Sequence, residues 1–396
     1  MRGLRLIYIF TLFALTGYFI LVLRFFYIRT HAQGLYRGYL YDSNVFPVSR
    51  DADAWPSKQN MNSSSQVFPL RYNEPRNITA CEPRKHIVYL KTTKCFSTTF
   101  HHIMKRFALK YDLNILKPKA KGHFYPTKPL RPRRITKEDA LYKPRMTYDM
   151  IVDHMVFDYD VVSSMMPSDS FYVGVVREPF SQFTSAYNSF SLWTKFNVQI
   201  DEFLSAPEAY WKQHVRQRDR ATYARNSMMA EFGFPDERED LRDNEPFIEH
   251  YVHYLDSKFD FVLVTEYFDE SLIYLRRLLC WEMENVLYVP GNVGSYTFEP
   301  KTVAKSSFLL THQKWSKADY YLYRHFLAKF KETLKHQGQD FFDEVEIFRK
   351  ALSKINKCGG VEYVKINGTG SRGRTYSRHT KINCIPGGIF IPISST

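Results

Sequence analysis

The chain has 396 residues, of which 44% are hydrophobic and 16% aromatic, so it can bury a sizeable core. This composition excludes an intrinsically disordered protein for most of its length. Its 55 Lys and Arg against 41 Asp and Glu give a formal net charge of +14, which favours an acidic partner. Charge alone leaves nucleic acid, anionic lipid, a charged glycan and a polyphosphorylated cofactor open.

The N-terminus begins with an apolar segment. Residues 6–23 are uncharged and almost wholly apolar, and they are long enough to cross most of a bilayer core. Arg24 and aromatic residues follow where a cleaved signal peptide would have small residues, so we favour a retained anchor over a signal peptide. We therefore expect a cytoplasmic tail over 1–5, a transmembrane signal anchor over 6–28 and a luminal stem over 29–80.

Two further patterns are typical of a protein in the secretory lumen. N-glycosylation acceptor patterns occur at Asn62, Asn77 and Asn367. The chain has five cysteines and no C-x-x-C pair, so the sequence gives no zinc-ribbon or thioredoxin-like signal. Cys358 and Cys384 could form a disulfide, and the odd count leaves at least one thiol free or paired between chains.

Residues 86–107, HIVYLKTTKCFSTTFHHIMKRF, predict a short strand, a turn rich in Lys and Thr, and a helix with apolar residues at helical spacing. The first N–H groups of a helix are unpaired and its dipole favours negative charge, so this arrangement indicates a site for phosphate or sulfate. The alternative is an ordinary helix start with a Ser or Thr cap. The Walker pattern is missing, which disfavours a nucleotide-dependent kinase.

The next segment, 117–145, is strongly basic, with ten Lys or Arg against Glu138 and Asp139 and with five prolines. It is either a solvated basic loop or a flap that draws in an anionic cofactor or acceptor. The apolar run 150–157, MIVDHMVF, follows it, is typical of a strand and contains His154. A single His in such a run is usually structural, although its position before the next motif favours a functional one.

A second candidate anion element follows the apolar run FYVGVV at 171–176, which predicts a buried strand that ends at Arg177. A helix is predicted over 180–190, and it places Ser185 two turns from its start. Arg is suited to bidentate phosphate recognition. The alternative is a surface pair between Arg177 and a carboxylate.

Helices and strands alternate through the rest of the chain: helices are predicted over 247–256, 268–281, 320–335 and 341–355, and a strand over 259–264. The last helix is expected to turn Phe342 and Val345 toward the core. This alternation predicts an α/β fold with a three-layer, mostly parallel sheet and helices on both faces. Ligands of such sheets bind beyond the carboxyl ends of the strands, where Lys94 and Arg177 are expected.

These stretches resemble the galactose-3-O-sulfotransferase family, which includes galactosylceramide sulfotransferase. Residues 86–107 resemble its 5′-phosphosulfate loop, and VVREPFSQFTSAYNSF resembles its 3′-phosphate motif. VDHMVF, ARNSMMAEFGF and FVLVTEYFDESLIYLRRLLCW continue the resemblance in colinear order from about residue 81 to 352. Thr93 stands where the family usually has the His of K-T-H-K, and Phe96 stands where it tends to have a small residue.

The resemblance implies a sulfotransferase P-loop-like fold and 3′-phosphoadenosine 5′-phosphosulfate (PAPS) as sulfate donor, with no obligatory metal. It implies a catalytic domain over 81–358 and a C-terminal extension over 359–396. His154 would be the general base and Lys94 would assist the leaving group. The residues implied in donor binding are Lys91, Lys94, Ser97, Thr98 and Thr99 for the 5′ end and Arg177 and Ser185 for the 3′-phosphate.

The implied function is sulfate transfer to a hydroxyl, the 3-OH, of galactose on a glycolipid or glycoprotein glycan. The implied location is the Golgi membrane, in a single-pass type II protein with a luminal catalytic domain. The alternative is a catalytically inactive, membrane-anchored glycan-binding protein in which the changes at Thr93 and Phe96 have removed cofactor binding. Nucleic-acid binding conflicts with the anchor and the glycosylation patterns, and the sequence leaves open whether the chain is a homodimer.

Overall fold

The computed structural model describes residues 81–125, 133–214, 220–289 and 305–357, and two short strands near the C-terminus. The expected anchor and stem, the three glycosylation patterns and the cysteines Cys358 and Cys384 lie outside the described residues. Among the residues that are described, no helix is both long enough and apolar enough to cross a membrane.

The centre of the fold is a four-stranded sheet. Its strands are β1 (Ile87–Tyr89), β2 (Met150–Ile151), β3 (Phe171–Val176) and β4 (Phe261–Val264). They lie in the order β2-β1-β3-β4 and every pairing is parallel. All residues of these strands are buried, as expected for the continuous apolar runs of a parallel sheet covered by other elements. The predicted α/β class with a parallel sheet and helices is confirmed.

The strand order creates a crevice. From β1 the chain crosses to β2 on one side, and then returns past β1 to β3 and β4 on the other side. The direction of winding therefore reverses between β1 and β3. Parallel sheets bind ligands at such a switch point, beyond the carboxyl ends of the strands. The segments that follow β1 and β3 are the ones placed to build a site.

Helices make up most of the rest of the described chain. They are α1 (Ser97–Lys110), α2 (Tyr159–Ser163), α3 (Pro179–Ser189), α4 (Leu192–Phe196), α5 (Ile200–Ser205), α6 (Pro207–His214), α7 (Ser227–Glu231), α8 (Glu239–Arg242), α9 (Glu245–Lys258), α10 (Phe268–Leu279), α11 (Met283–Val286), α12 (Lys305–Trp315), α13 (Lys317–Lys335) and α14 (Gln339–Lys357). Short 3₁₀ turns cover Lys137–Asp139, Arg220–Ala224 and Thr265–Tyr267. The two C-terminal strands, β5 (Thr380–Lys381) and β6 (Phe390–Ile391), pair antiparallel.

Two hydrophobic clusters hold these elements together. The larger contains the sheet and the inner faces of α1, α9, α10, α13 and α14. Phe107 of α1 stacks on Trp281 in this cluster, with ring centroids 3.7 Å apart. The smaller cluster is aromatic and joins α3 to α6, with Phe183 and Phe203 in contact and Trp315 packed on Phe203. It supports the helix that follows β3.

The structure differs from the sequence predictions in two places. The run 150–157 forms only a two-residue strand, because beyond Ile151 it pairs with the basic segment through isolated bridges at His154 and Val156. In the last helix, Phe341 is fully buried while Phe342 is 39% exposed, so the predicted inward position of Phe342 is wrong. Phe341 lies four residues before the buried Val345, which is the helical repeat.

A disulfide joins Cys81 to Cys280, at the end of α10. Two hydrogen bonds reinforce it: the N–H of Arg84 donates to the carbonyl of Leu279 at 2.9 Å, and the Trp281 indole donates to the carbonyl of Arg84 at 3.0 Å. These contacts attach residues 81–84, which precede β1, to the end of α10. The third cysteine of the described residues, Cys95, is a buried free thiol.

Candidate functional site

The loop between β1 and α1 contains two residues in the left-handed conformation, Lys94 at φ 63° and Phe96 at φ 59°. This conformation is costly for residues other than glycine and is typically kept at functional sites. It turns the chain sharply from the strand into α1, which begins at Ser97. The first turn of α1 has no acidic residue, so the dipole of the helix favours an anion at this end.

Thr93 fixes the start of this loop through a buried carboxyl group. Its N–H donates to Glu231 Oε2 at 2.6 Å, and its hydroxyl donates to Glu231 Oε1. Gln182 Nε2 donates to the Thr93 carbonyl at 3.0 Å. Thr93 is therefore a structural anchor of the loop.

Burial raises the pKa of Glu231 to about 8, and the two hydrogen bonds from Thr93 act in the opposite direction. Glu231 is the last residue of α7, and the ring of the next residue, Phe232, packs against Gly174 in β3. A Cβ at position 174 would lie 2.9 Å from that ring, so glycine permits the close approach that places Glu231 under the loop.

The ends of β3 and β4 hold the same loop from the other side. Arg177 Nη1 donates to the Lys94 carbonyl at 3.0 Å. The Thr265 hydroxyl lies 3.2 Å from the Cys95 carbonyl and 2.9 Å from the Val176 carbonyl. The structure thus brings the two predicted anion elements, at Lys94 and Arg177, into direct contact at the switch point.

Helix α3 presents one polar face to the loop. Gln182 contacts Thr93, and Ser189 Oγ accepts a hydrogen bond from Lys94 Nζ at 2.7 Å. Ser185 lies between them at helical spacing, so it is on the same face and is partly exposed. Burial, together with the charge of Arg177, lowers the pKa of Lys94.

His154 lies beyond the end of β2, beside a second imidazole. The main-chain N–H of His154 donates to the Gly122 carbonyl at 3.3 Å, and its main-chain carbonyl accepts from the Phe124 N–H at 2.8 Å. These bonds place the ring of His123 5.7 Å from that of His154, centroid to centroid. Burial, with the charges of Lys91 and His123, holds the pKa of His154 well below its ordinary value. A hydrogen bond with the Lys91 main chain acts in the opposite direction and raises this pKa. A neutral imidazole of this kind can accept a proton.

Lys91 lies between the loop and His154. Its Nζ donates to His101 Nδ1 at 3.2 Å, and burial lowers its pKa to about 8. The residues that follow β2, β1 and β3 therefore give a row of polar groups along the carboxyl edge of the sheet, from His154 through Lys91 and Lys94 to Arg177.

The described parts of the basic segment, 117–125 and 133–145, pair with the run that carries His154: the Phe124 N–H donates to the His154 carbonyl at 2.8 Å, and the Ile135 N–H donates to the Val156 carbonyl at 2.9 Å. The Lys119 N–H donates to the Asp139 carbonyl and the Leu141 N–H to the Lys117 carbonyl, each at 2.8 Å. A pocket of about 390 Å³ lies in it, lined by Lys119, Lys137, Glu138, Ala140, Leu141, Tyr142, Lys143 and Pro144. Within the described ranges, no group of three or more His, Cys, Asp or Glu side chains is arranged to hold a metal ion.

The family model of the galactose-3-O-sulfotransferases matches residues 9–366, most of the chain. The chain belongs to the galactose-3-O-sulfotransferase family. Human galactosylceramide sulfotransferase is 32% identical over 283 residues, which are 69% of this chain and 64% of that relative. Galactose-3-O-sulfotransferase 3 of mouse is 29% identical over 308 residues, 75% of this chain and 67% of that relative.

The chain spans just under two thirds of the length of the galactosylceramide sulfotransferases it matches. Among solved structures, a sulfotransferase from Alicyclobacillus acidocaldarius aligns with a TM-score of 0.34 and 15% identity, covering 62% of this chain and 96% of that one. The family predicted from the sequence is confirmed by the family model and the sequence relatives.

Sequence reasoning missed several residues of this candidate site: His101, His123, Gln182, Ser189 and Glu231. Glu231 lies within the stretch ARNSMMAEFGF, which resembles the family, but that resemblance gives it no partner. Gln182 and Ser189 could have been found from Ser185, because positions three before and four after share a helix face. His101 and His123 stand in local patterns without a distinctive signal.

Proposed function

We propose that the chain is a PAPS-dependent sulfotransferase that sulfates a hydroxyl, the 3-OH, of galactose on a glycolipid or glycoprotein glycan. The observation that carries this proposal is the hydrogen bond from Arg177 to the Lys94 carbonyl, because it joins two cationic anion-binding elements at the switch point of the sheet. Family membership supports the same reaction, since the relatives reported above are named as sulfotransferases of galactose or galactosylceramide.

The donor would be held at both ends. In our proposal Lys91, Lys94 and the first residues of α1, Ser97, Thr98 and Thr99, bind the 5′-phosphosulfate, while Arg177 and Ser185 bind the 3′-phosphate. The charges fit such a ligand, because Arg177 contacts Lys94, Lys91 belongs to the same segment between β1 and α1 as Lys94, and the first turn of α1 has no acid. The nearby Glu231 does not oppose it, since a pKa of about 8 keeps this carboxyl mostly protonated at neutral pH.

The chemical step needs a base and a stabilised leaving group. The acceptor oxygen forms a bond to sulfur, the bond from sulfur to the bridging phosphate oxygen breaks, and the hydroxyl proton passes to His154. A low pKa keeps His154 neutral and able to take the proton, and a positioned base contributes roughly 10²–10⁴-fold to the rate. Lys94 and the start of α1 stabilise the negative charge that develops on the departing phosphate.

The basic segment beside His154 would guide the acceptor. Its lysines could attract an acidic group on a glycan or on a lipid surface, which gives this segment the role of a flap. We further propose a Golgi membrane protein of type II, anchored by residues 6–28 and bearing glycans at Asn62, Asn77 and Asn367. The Cys81–Cys280 disulfide supports an oxidising compartment.

The three-layer arrangement is part of the same proposal. Crossovers between parallel strands are right-handed in nearly all proteins. The β1–β2 and β3–β4 crossovers run in opposite directions along the sheet, so under this rule their helices cover opposite faces. We also infer that the catalytic domain begins near residue 81.

The test uses the full-length chain and sulfur-labelled PAPS with galactosylceramide, lactose-type and core-type glycans, followed by mapping of the sulfated position. We expect label at the galactose 3-OH. His154→Ala should lose turnover while retaining binding of PAP, the desulfated product. His336→Ala, at an exposed histidine beyond α13, is the matched control and should retain activity. If the wild-type chain neither transfers sulfate nor binds PAP, the glycan-binding alternative is correct.

A further inference from the structure

Three polar residues from separate parts of the chain, two of them buried, form a chain of contacts, here named the Lys91 triad. Lys91 Nζ lies 3.2 Å from His101 Nδ1, and His101 Nε2 lies 3.3 Å from Asp153 Oδ1. Lys91 follows β1, His101 is on α1 and Asp153 follows β2. His101 is 6% exposed and Asp153 9%, so these contacts are shielded from solvent.

The chemistry of the three groups determines which atom donates and which accepts in each contact of the triad. An ammonium group only donates hydrogen bonds, so His101 Nδ1 must accept from Lys91. The proton of the neutral imidazole is then on Nε2, the atom that faces Asp153. Burial lowers the pKa of His101 to about 4, which keeps this ring neutral at physiological pH. The triad is therefore a cation and an anion joined through a neutral imidazole.

Asp153 carries the negative charge of the triad. Burial alone would raise the pKa of Asp153, but the contact with His101 and the charges of Lys105 and Lys91 outweigh it and hold that pKa below its ordinary value. For Lys91, burial lowers the pKa, and the negative charge of Asp153 raises it. Asp153 thus helps Lys91 to keep its proton in a partly buried position.

We propose that His101 and Asp153 are positioning residues that fix the Lys91 ammonium group toward the phosphosulfate of the donor. This inference rests on the proposed function. One N–H of Lys91 is used by His101, and the ammonium group has two more to offer an anion. A lysine stem that is already held loses less side-chain entropy when the ligand binds.

The triad also links the two halves of the site. Asp153 immediately precedes His154, so the contact that holds Lys91 also fixes the peptide that carries the proposed base. A purely structural role, in which the triad only joins β1, β2 and α1, makes a different prediction. It would change stability without changing how donor affinity depends on pH.

The pH dependence of Lys91 is set by every charged or titratable group that faces it. These groups are His101, His102 and Lys105 of α1, Asp153 and His154 after β2, His123 of the basic segment and Glu231 of α7. Among them, Asp153 is the largest influence that raises the pKa of Lys91. Its removal should therefore let Lys91 lose its proton at lower pH.

The experiment is calorimetric titration of the full-length chain with PAP between pH 6 and 9. We expect wild-type affinity to fall as the pH rises through about 8, the pKa of Lys91. Asp153→Asn should shift this fall by about one pH unit to the acid side and weaken binding about tenfold at pH 9. His101→Leu should weaken binding to a similar extent, while His101→Gln should restore it to within about threefold, because its oxygen can accept from Lys91 and its amide can donate to Asp153.

A Lys91→Met background supplies the second measurement. In that background Asp153→Asn should not weaken PAP binding further, since the residue it positions is gone. Wild-type affinity and an unchanged pH midpoint in Asp153→Asn and His101→Leu would overturn the positioning role, as would failure of His101→Gln to rescue. If Asp153→Asn does not fold, the comparison of His101→Leu with His101→Gln decides. Absence of PAP binding by the wild-type chain at every pH would instead refute the proposed function itself.

Discussion

Arg177 Nη1 donates a hydrogen bond to the main-chain carbonyl of Lys94, 3.0 Å away. The two residues follow the neighbouring parallel strands β3 and β1, on either side of the point where the sheet changes its direction of winding. Arg177 therefore has a structural role, because it fixes the loop after β1. It also has guanidinium N–H groups left with which to bind a phosphate.

The first prediction separates these two roles of Arg177. We expect Arg177→Ala to weaken PAP binding by about 100-fold or more, because hydrogen bonds to charged groups contribute about 1.5–3 kcal/mol each. Arg177→Lys should lose less, since it retains the charge but not the planar fork. Calorimetry should be repeated with adenosine 5′-phosphosulfate, which has no 3′-phosphate. An equal loss for both ligands would mean that Arg177 acts only through the loop.

The sequence predicted this edge of the sheet well, because its evidence is local. The strand at 171–176 is a continuous apolar run bounded by polar residues, and α1 has apolar residues at helical spacing. Parallel strands then bring Lys94 and Arg177 to one edge without further information. The contact between Thr93 and Glu231 joins residues 138 positions apart, and no local pattern encodes it. The same is true of the Lys91 triad, in which Lys91 follows β1, His101 is on α1 and Asp153 follows β2.

The second prediction concerns Glu231 and the pH dependence of stability. Burial raises its pKa in the folded protein to about 8, above the ordinary value of 4.5. The folded state therefore holds this proton more tightly, and the stabilisation that it provides is lost as the pH rises from about 4.5 to about 8. Between pH 6 and 8.5, wild type should lose about 2–3 kcal/mol more than Glu231→Gln.

The measurement is urea unfolding of both proteins at each pH. The amide of Glu231→Gln can accept from the Thr93 N–H and donate to the Thr93 hydroxyl, so the contact survives without a titrating group. Glu332→Gln, at an exposed position of α13, serves as control and should keep the wild-type slope. Parallel pH profiles for wild type and Glu231→Gln would contradict the raised pKa.

The third prediction concerns the disulfide between Cys81 and Cys280, which closes a loop of 199 positions. Its loss should reduce the free energy of unfolding by about 2–5 kcal/mol, since a cross-link over a long loop restricts the unfolded chain. Cys81→Ser, Cys280→Ser and the double variant should be equally destabilised, because each removes the same bond. A reductant should lower the stability of wild type but not of the double variant. An unaffected wild type would show that the bond does not contribute.

The fourth prediction tests the left-handed backbone of Phe96, which the sequence could not reveal because φ is set by the path from β1 into α1. Its ring packs edge-on against Phe268, with centroids 4.8 Å apart, and this packing offsets the backbone cost. Phe96→Ala and Phe96→Gly both remove the ring, so they differ only in the backbone. We expect Phe96→Gly to be the more stable by about 1 kcal/mol, since the left-handed region costs other residues roughly 1–2 kcal/mol.

Ala108 of α1 provides the matched control for this comparison, because it occupies an ordinary helical position in the helix that follows Phe96. There the order should reverse, and Ala108→Gly should cost at least about 0.5–1 kcal/mol. Denaturant unfolding of the three variants with wild type gives both differences. Alanine more stable than glycine at position 96 would mean that the loop leaves the left-handed conformation once the ring is gone. Retained PAP binding in Phe96→Gly would show that binding at the loop between β1 and α1 depends on the turn of the backbone and not on the aromatic side chain.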